Sequence, residues 1–388
     1  SFLQRHNKLI WQTLTKIRLN KLTCDIITTT DELQKINNSY DWYTILNAMA
    51  SSSTSAYTAK SHALKIKDSW RKNRLKEIGD QMLNSDNADI NFYIKELMSL
   101  SDVQKKYLYT MAEAADDALD EIDKIQNGER VTIPSGLADI DKNMGGLHNS
   151  DLIIVAARPA MGKTAFMLNM AAANEDSPLV FSTEQSRIQA ANRLFSIYGS
   201  VEGHKLRTGE ISDQEYAQIT VAINKINNCN GMIYDKSGPL MSEIESVARK
   251  VKAERGCNAI YLDYLQRIKH ENPSLPKHEQ VGDIAMRLKE LARELDVPVV
   301  ALAQVSRKCE DRTDKRPQMG DIKDSGTVEQ EADSILTLYR DEVYNDDSPD
   351  RGICEIDFKK NRHGGTGMIR VKWTAPTMRF TDMTTMSY

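Results

Sequence analysis

Lys163 and Thr164 directly follow Gly162, at the end of the run LIIVAARPAMGKT that begins at Leu152. An ammonium, a hydroxyl and a glycine at such a junction are the groups a phosphate chain needs. Where an apolar strand turns tightly into a helix, the unpaired N–H groups of the first helical turn converge on one spot. The helix dipole favours negative charge there. Lys163 could then reach the β- and γ-phosphates, the Thr164 hydroxyl could ligate Mg²⁺, and Gly162 would let the backbone approach closely. Arg158, Pro159, Ala160, Met161, Gly162, Lys163, Thr164 and Ala165 form the candidate nucleotide cradle. Ala157 departs from the general pattern G-x-x-x-x-G-K-S/T, which has glycine first. The competing reading is an ordinary strand, turn and helix with a stray lysine. The β-rich run before the loop and MLNMAAA after it favour phosphate.

Other candidates lie at the ends of apolar runs. Glu184, two residues past LVFS, could orient and deprotonate a water beside a γ-phosphate. Asp263 closes AIYLD; an acid at the end of a buried strand is costly unless paired or held by a cation, which suits support of Mg²⁺. The alternative for Asp263 is a helix cap. Gln304, after VPVVALA, could hydrogen-bond a γ-phosphate and change partner when it leaves. Ser306 to Ser325 is a polar loop carrying Arg307, Lys308, Arg312, Lys315, Arg316 and Lys323, and several copies of it could line a channel around a single strand. KNRHGGTG reads as a hairpin presenting Lys360 and Arg362, either an exposed basic turn or a finger reaching a phosphate on an adjacent subunit.

Strands and helices must alternate to bring these groups together, and beyond Gly146 they do. Strands are expected at Leu152–Ala157, Leu179–Ser182, Met232–Tyr234, Ala259–Asp263 and Val297–Ala303, with helices at Arg187–Tyr198, Asp213–Ile226, Met241–Glu254 and Gln280–Leu295. This is the pattern of a mostly parallel sheet covered by helices, whose ligands gather at the carboxyl ends of its strands. Two further strands, Ile353–Lys359 and Met368–Trp373, flank the basic hairpin. Before Asn127 the periodicity is helical, with Leu9, Ile10, Leu14 and Ile17 in one series and Leu64, Ile66, Trp70, Leu75 and Ile78 in another. Met111, Ala115, Ala118, Ile122 and Ile125 form an apolar seam opposite an acidic face, as on a linker helix that docks on a neighbouring subunit. The expected organisation is a helical domain over 1–110, a linker helix and connector over 111–134, and an α/β domain over 135–388.

The 388 residues carry 51 basic and 55 acidic side chains, a net charge of −4, which excludes a chain that coats DNA by bulk charge alone. Cys24, Cys229, Cys257, Cys309 and Cys354 are scattered without a C-x-x-C pair, pointing to a reducing cytoplasm rather than zinc or disulfides. No segment is apolar for long enough to suggest a membrane span. The chain begins at Ser1 within a helical pattern, so part of a natural N-terminus is expected to precede it.

ARPAMGKT, the glutamate of FSTEQ, YLDYLQ, ALAQVSR, DIKDSGTVEQEAD, YRDEVY and KNRHGGTG, in this order, resemble the replicative DNA helicases of the DnaB type. The likeness is strong from Ser135 to Phe380 and fainter before it, and that family accommodates Ala157. It implies a RecA-like P-loop ATPase domain behind a helical collar, and a homohexameric ring that hydrolyses ATP with Mg²⁺. Such a ring moves 5′ to 3′ along single-stranded DNA and unwinds the duplex, with primase, a helicase loader and other replication proteins as partners. By motif matching, Lys163 and Thr164 hold phosphate and metal, and Asp263 supports the metal. Glu184 is the base, Gln304 the sensor, and Arg340 lies near the base or sugar. Lys360 and Arg362 act in trans, while Lys323, Asp324 and Gly326 grip the DNA backbone, although many relatives have Arg and Glu at the first two of these positions. A recombinase of the same fold that forms open filaments, and a ring scaffold without motor activity, are the rival readings.

Overall fold

The computed structural model describes residues 5–19, 25–52, 69–70, 72–82, 109–127, 129, 132–322 and 326–383. Two compact units divide the chain, Ser1–Asp117 and Ala118–Tyr388.

In the first unit, helices Arg5–Leu19, Ile26–Ile36 and Trp42–Ser52 close around Ile10, Leu33, Trp42 and Leu46. Asp25 starts the second helix, its carboxylate accepting the Thr28 N–H at 2.7 Å. The buried indole of Trp42 satisfies its N–H on the Asn37 carbonyl at 2.6 Å. Of the basic run formed by Lys60, Lys65, Lys67, Arg71, Lys72, Arg74 and Lys76, the first four lie outside the described residues, and residues 72–82 are helical. The seam helix, Met111–Gln126, runs across the boundary at Asp117 and buries no side chain: Met111, Leu119, Ile122 and Ile125 are all exposed.

Among the described residues the second unit is built on a nine-stranded sheet. β1 (Leu152–Ala157), β2 (Pro178–Ser182), β3 (Met232–Tyr234), β4 (Ala259–Asp263), β5 (Val299–Gln304) and β6 (Ser334–Tyr339) run parallel. β7 (Ile353–Asn361), β8 (Gly367–Thr374) and β9 (Arg379–Asp382) add an antiparallel extension, and the order across the sheet is β3-β2-β4-β5-β1-β6-β7-β8-β9. β1 is buried along its whole length because both sheet faces are covered. Alternation sends Ile153, Val155 and Ala157 into one core and Leu152, Ile154 and Ala156 into the other. Helices Met241–Arg255 and Lys277–Leu295 cover the second face; Lys163–Ala173 and the packing residues of β7 to β9 belong to the first.

Some boundaries differ from the sequence expectations. β5 begins at Val299 because the Val297 N–H still closes the preceding helix on Ala292, at 3.1 Å. The helix there begins at Lys277, three residues before its expected start, right after Pro276. The polar loop after β5 is more fixed than its composition suggests. It contains short 3₁₀ turns at Arg307–Asp311 and Met319–Asp321, and Val305 bridges Ile322 across its base. Arg312 is tied to Asp321 at 2.5 Å and Arg316 to Glu355 at 2.6 Å, so these two cations brace the loop instead of standing free for a channel.

Candidate active site

Sheet register assembles the site. β1 pairs with β5 so that Ala157 stands beside Gln304, and β2 pairs with β4 so that Ser182 stands beside Asp263. The four carboxyl ends therefore lie along one rim, where the P-loop leaves β1 and Glu184 follows β2. Gly162 takes the left-handed conformation, φ 96°, that ends the loop and starts helix Lys163–Ala173. A Cβ there would also come within 3.3 Å of Phe380. That helix is apolar almost all round, and seven of its eleven residues are buried. Phe166 meets the Phe380 ring edge-on at 5.2 Å, and Asn169 bonds Met378 and Phe380 on either side of its amide, at 2.8 and 3.2 Å. The C-terminal strand thus clasps the helix whose first turn would face phosphate.

A cavity of about 460 Å³ opens above this turn. Arg158, Pro159, Ala160, Gly162, Lys163, Thr164, Ala165, Glu184, Gln304 and Arg340 line it, a size and composition able to take a nucleotide. The Thr164 hydroxyl donates to the Asp263 carboxylate at 2.7 Å. Burial pushes the Asp263 pKa up; the Thr164 hydrogen bond and the Lys163 charge oppose this without overcoming it. An inward-held carboxylate beside a hydroxyl is a hard oxygen pair that fits Mg²⁺, and a cation there would relieve the burial cost. Lys163 donates to the Ala303 carbonyl at 3.2 Å and lies 5.3 Å from the centre of the Tyr264 ring. Its pKa falls to about 8, burial outweighing the pull of Asp263 and Glu184. Both members of this pair are short of countercharge, and a metal-bound phosphate chain would supply it to each.

The Met161 side chain is 1% exposed, belongs to the core and does not line the cavity, which leaves its backbone as the part that can serve the cradle. The cause is the turn itself, which points residue 161 inward between exposed Ala160 and the left-handed Gly162. Arg158 borders the cavity, yet its guanidinium is committed to Glu310 at 2.8 Å and the Val305 carbonyl at 2.9 Å. Arg340 bonds Glu342 at 2.9 Å and the Ala160 carbonyl at 3.2 Å, and lies over the Trp373 ring. Glu184 is half exposed, 3.9 Å from Arg267. Lys360 and Arg362 do not line this cavity: Lys360 donates to the Glu329 carbonyl at 2.7 Å and Arg362 to Asp333 at 2.7 Å. Lys323 and Asp324 lie outside the described residues; Gly326 is exposed and opens helix Gly326–Glu331.

The family model described as "DnaB-like helicase C terminal domain" matches residues 132–382. The chain belongs to that family. Its DnaB-like segment is 39% identical to "Replicative DNA helicase DnaB" of Geobacillus stearothermophilus over 271 residues, 68% of this chain and 60% of that protein. It is also 39% identical to the DnaB of Haemophilus influenzae over 300 residues, 75% of this chain and 64% of that protein. The chain thus spans 60 to 64% of the length of these curated relatives. A solved ATPase domain superposes with a TM-score of 0.67 at 32% identity, covering 71% of this chain and 99% of that one. A DnaB-like replicative helicase, titled with its interactions with primase, superposes with a TM-score of 0.70 at 28% identity, covering 96% and 91%. The parallel sheet and its helical cover are the RecA-like ATPase fold of DnaB-like helicases. Sequence reasoning missed further residues lining the DnaB-like pocket, namely Gln185, Arg193, Tyr264, Trp373 and Met378. Tyr264 directly follows Asp263 and could have been found by that adjacency. Trp373 and Met378 come from the far end of the chain, and no local spacing announces them.

Proposed function

We propose that this chain is the subunit of an ATP-driven replicative DNA helicase, a homohexameric ring that moves 5′ to 3′ along single-stranded DNA and separates the duplex. The observation that carries this reading is one rim on which Lys163, Thr164, Asp263, Glu184 and Gln304 meet, in a chain of the DnaB-like family. Lys163 would bind the β- and γ-phosphates, and Arg340, over Trp373, would border the base or sugar. Thr164 and Asp263 would hold Mg²⁺, which when bound neutralises phosphate charge. Glu184 would take the proton of the water that attacks the γ-phosphorus while the bond to the β-phosphate oxygen breaks. Gln304 would register the loss of the γ-phosphate. Lys360 and Arg362 would serve the nucleotide of the adjacent subunit. Lys323, Asp324 and Gly326 would hold the DNA backbone.

In this reading 1–110 is a collar, 111–134 is a linker whose exposed seam docks on a neighbouring copy, and 135–388 is the motor. Primase is a proposed partner because the solved DnaB-like helicase is titled with it; a loader and other replication proteins would act in the same cytoplasm. Among the described residues no helix is long and apolar enough to cross a membrane. The test is strand displacement from a forked substrate by the full chain. Unwinding that requires ATP and disappears with Lys163→Ala is expected. ATP hydrolysis without any displacement would refute the motor.

A further inference from the structure

Arg362 opens the turn between β7 and β8, where a long side chain would normally sweep a wide arc. Here it is held twice by one residue: its N–H donates to the Asp333 carbonyl at 3.1 Å, and Nη1 donates to Asp333 Oδ1 at 2.7 Å. Asp333 itself is 2% exposed, just before β6. Its Oδ2 accepts Lys289 Nζ at 2.5 Å and the Leu152 N–H at 2.8 Å, and its own N–H donates to the Leu152 carbonyl at 2.9 Å. The carboxylate is thereby locked to helix Lys277–Leu295 and to the first residue of β1. The next hairpin residue, His363, meets Asp151 at 2.5 Å and stacks on His148 with ring centres 4.3 Å apart. The Arg362 side chain nevertheless remains 53% exposed, open to an incoming anion.

We infer that Asp333 is the positioning residue for Arg362, fixing the guanidinium on a rigid, buried carboxylate so that it meets a neighbouring subunit's phosphate already oriented. This rests on the finger reading above. An arginine that must be ordered during each turnover loses rotamer freedom at the barrier, whereas one ordered beforehand by the fold does not. A bond through one nitrogen also suits the task, because the planar fork has other N–H groups to offer a phosphate.

The test compares ATP turnover of the assembled full chain on single-stranded DNA for the wild type, Arg362→Ala, Asp333→Asn and the double variant. Asp333→Asn should leave KM for ATP near its wild-type value and lower kcat on the order of 10- to 100-fold, the size of a lost charge-assisted hydrogen bond. The double variant should be no slower than Arg362→Ala, since the two residues act as one unit. Multiplying losses, or a raised KM with kcat unchanged, would overturn the inference and leave Asp333 as a strand anchor. Wild-type turnover by Arg362→Ala would instead defeat the finger reading itself. Because Asp333→Asn takes from Lys289 the nearer of its two carboxylates, the other being Asp151 at 3.9 Å, the set includes Asp333→Asn with Lys289→Met, where the same kcat loss would trace the effect to the Arg362 contact and not to Lys289.

Discussion

Raising the pH from about 7.5 to about 9 should weaken ATP binding roughly eightfold, an effect an ordinary lysine would not produce. The free-protein pKa of Lys163 is about 8, lowered chiefly by burial. Its protonated fraction therefore falls from roughly three quarters to roughly one tenth across this interval, and the ratio sets the loss if only the ammonium binds phosphate. A lysine near its usual value of roughly 10.4 would stay almost wholly charged. The sign for folding is the reverse. The folded value lies below the unfolded 10.5, so the nucleotide-free chain binds fewer protons than the unfolded chain between about 8 and 10.5. The burial penalty of Lys163 shrinks as pH rises through that window. Equilibrium titration with a fluorescent ATP analogue and excess Mg²⁺, repeated with Lys163→Arg, measures the effect. Affinity that stays flat in the wild type, or falls equally in the arginine variant, would refute the assignment.

Asp263→Asn should leave the melting temperature unchanged or higher, because it removes a carboxylate whose charged form burial disfavours, while abolishing Mg²⁺-dependent turnover. Melting curves and ATPase assays on the same preparation check the two halves. Ile122→Asp, on the exposed seam of Met111–Gln126, should leave the far-ultraviolet spectrum unchanged and shift the native mass distribution away from closed rings, as native mass spectrometry would read. Lys163→Ala should remove displacement and ATP hydrolysis together, as parallel unwinding and phosphate-release assays would read.

The α/β unit was legible because its signals are local. The strand ends that carry Asp263 and Gln304 are closed by turns, and the helices between them keep their period for several turns. SILTLY, the strand β6, is buried throughout, with Ser334 and Thr337 breaking any polar and apolar alternation, and lies between two motif segments, so nothing local separates it from its surroundings. The fixed state of the loop after β5 was equally hidden. Arg316 finds Glu355 only through tertiary folding, at a separation of 39 residues. For the site, residue types at strand ends located Asp263 and Glu184, whereas Trp373 reaches the pocket only because β8 folds back toward β1 through β7 and β6. Met161 shows the converse, since a motif position fixes a residue in the chain but not the direction of its side chain.

The outermost strands of the nine-stranded sheet are its shortest, β3 with 3 residues and β9 with 4. Rims this brief offer little backbone for zippering when copies of the chain crowd together. Any gathering of this protein through that sheet would have to be written in side chains, and can therefore be rewritten one residue at a time.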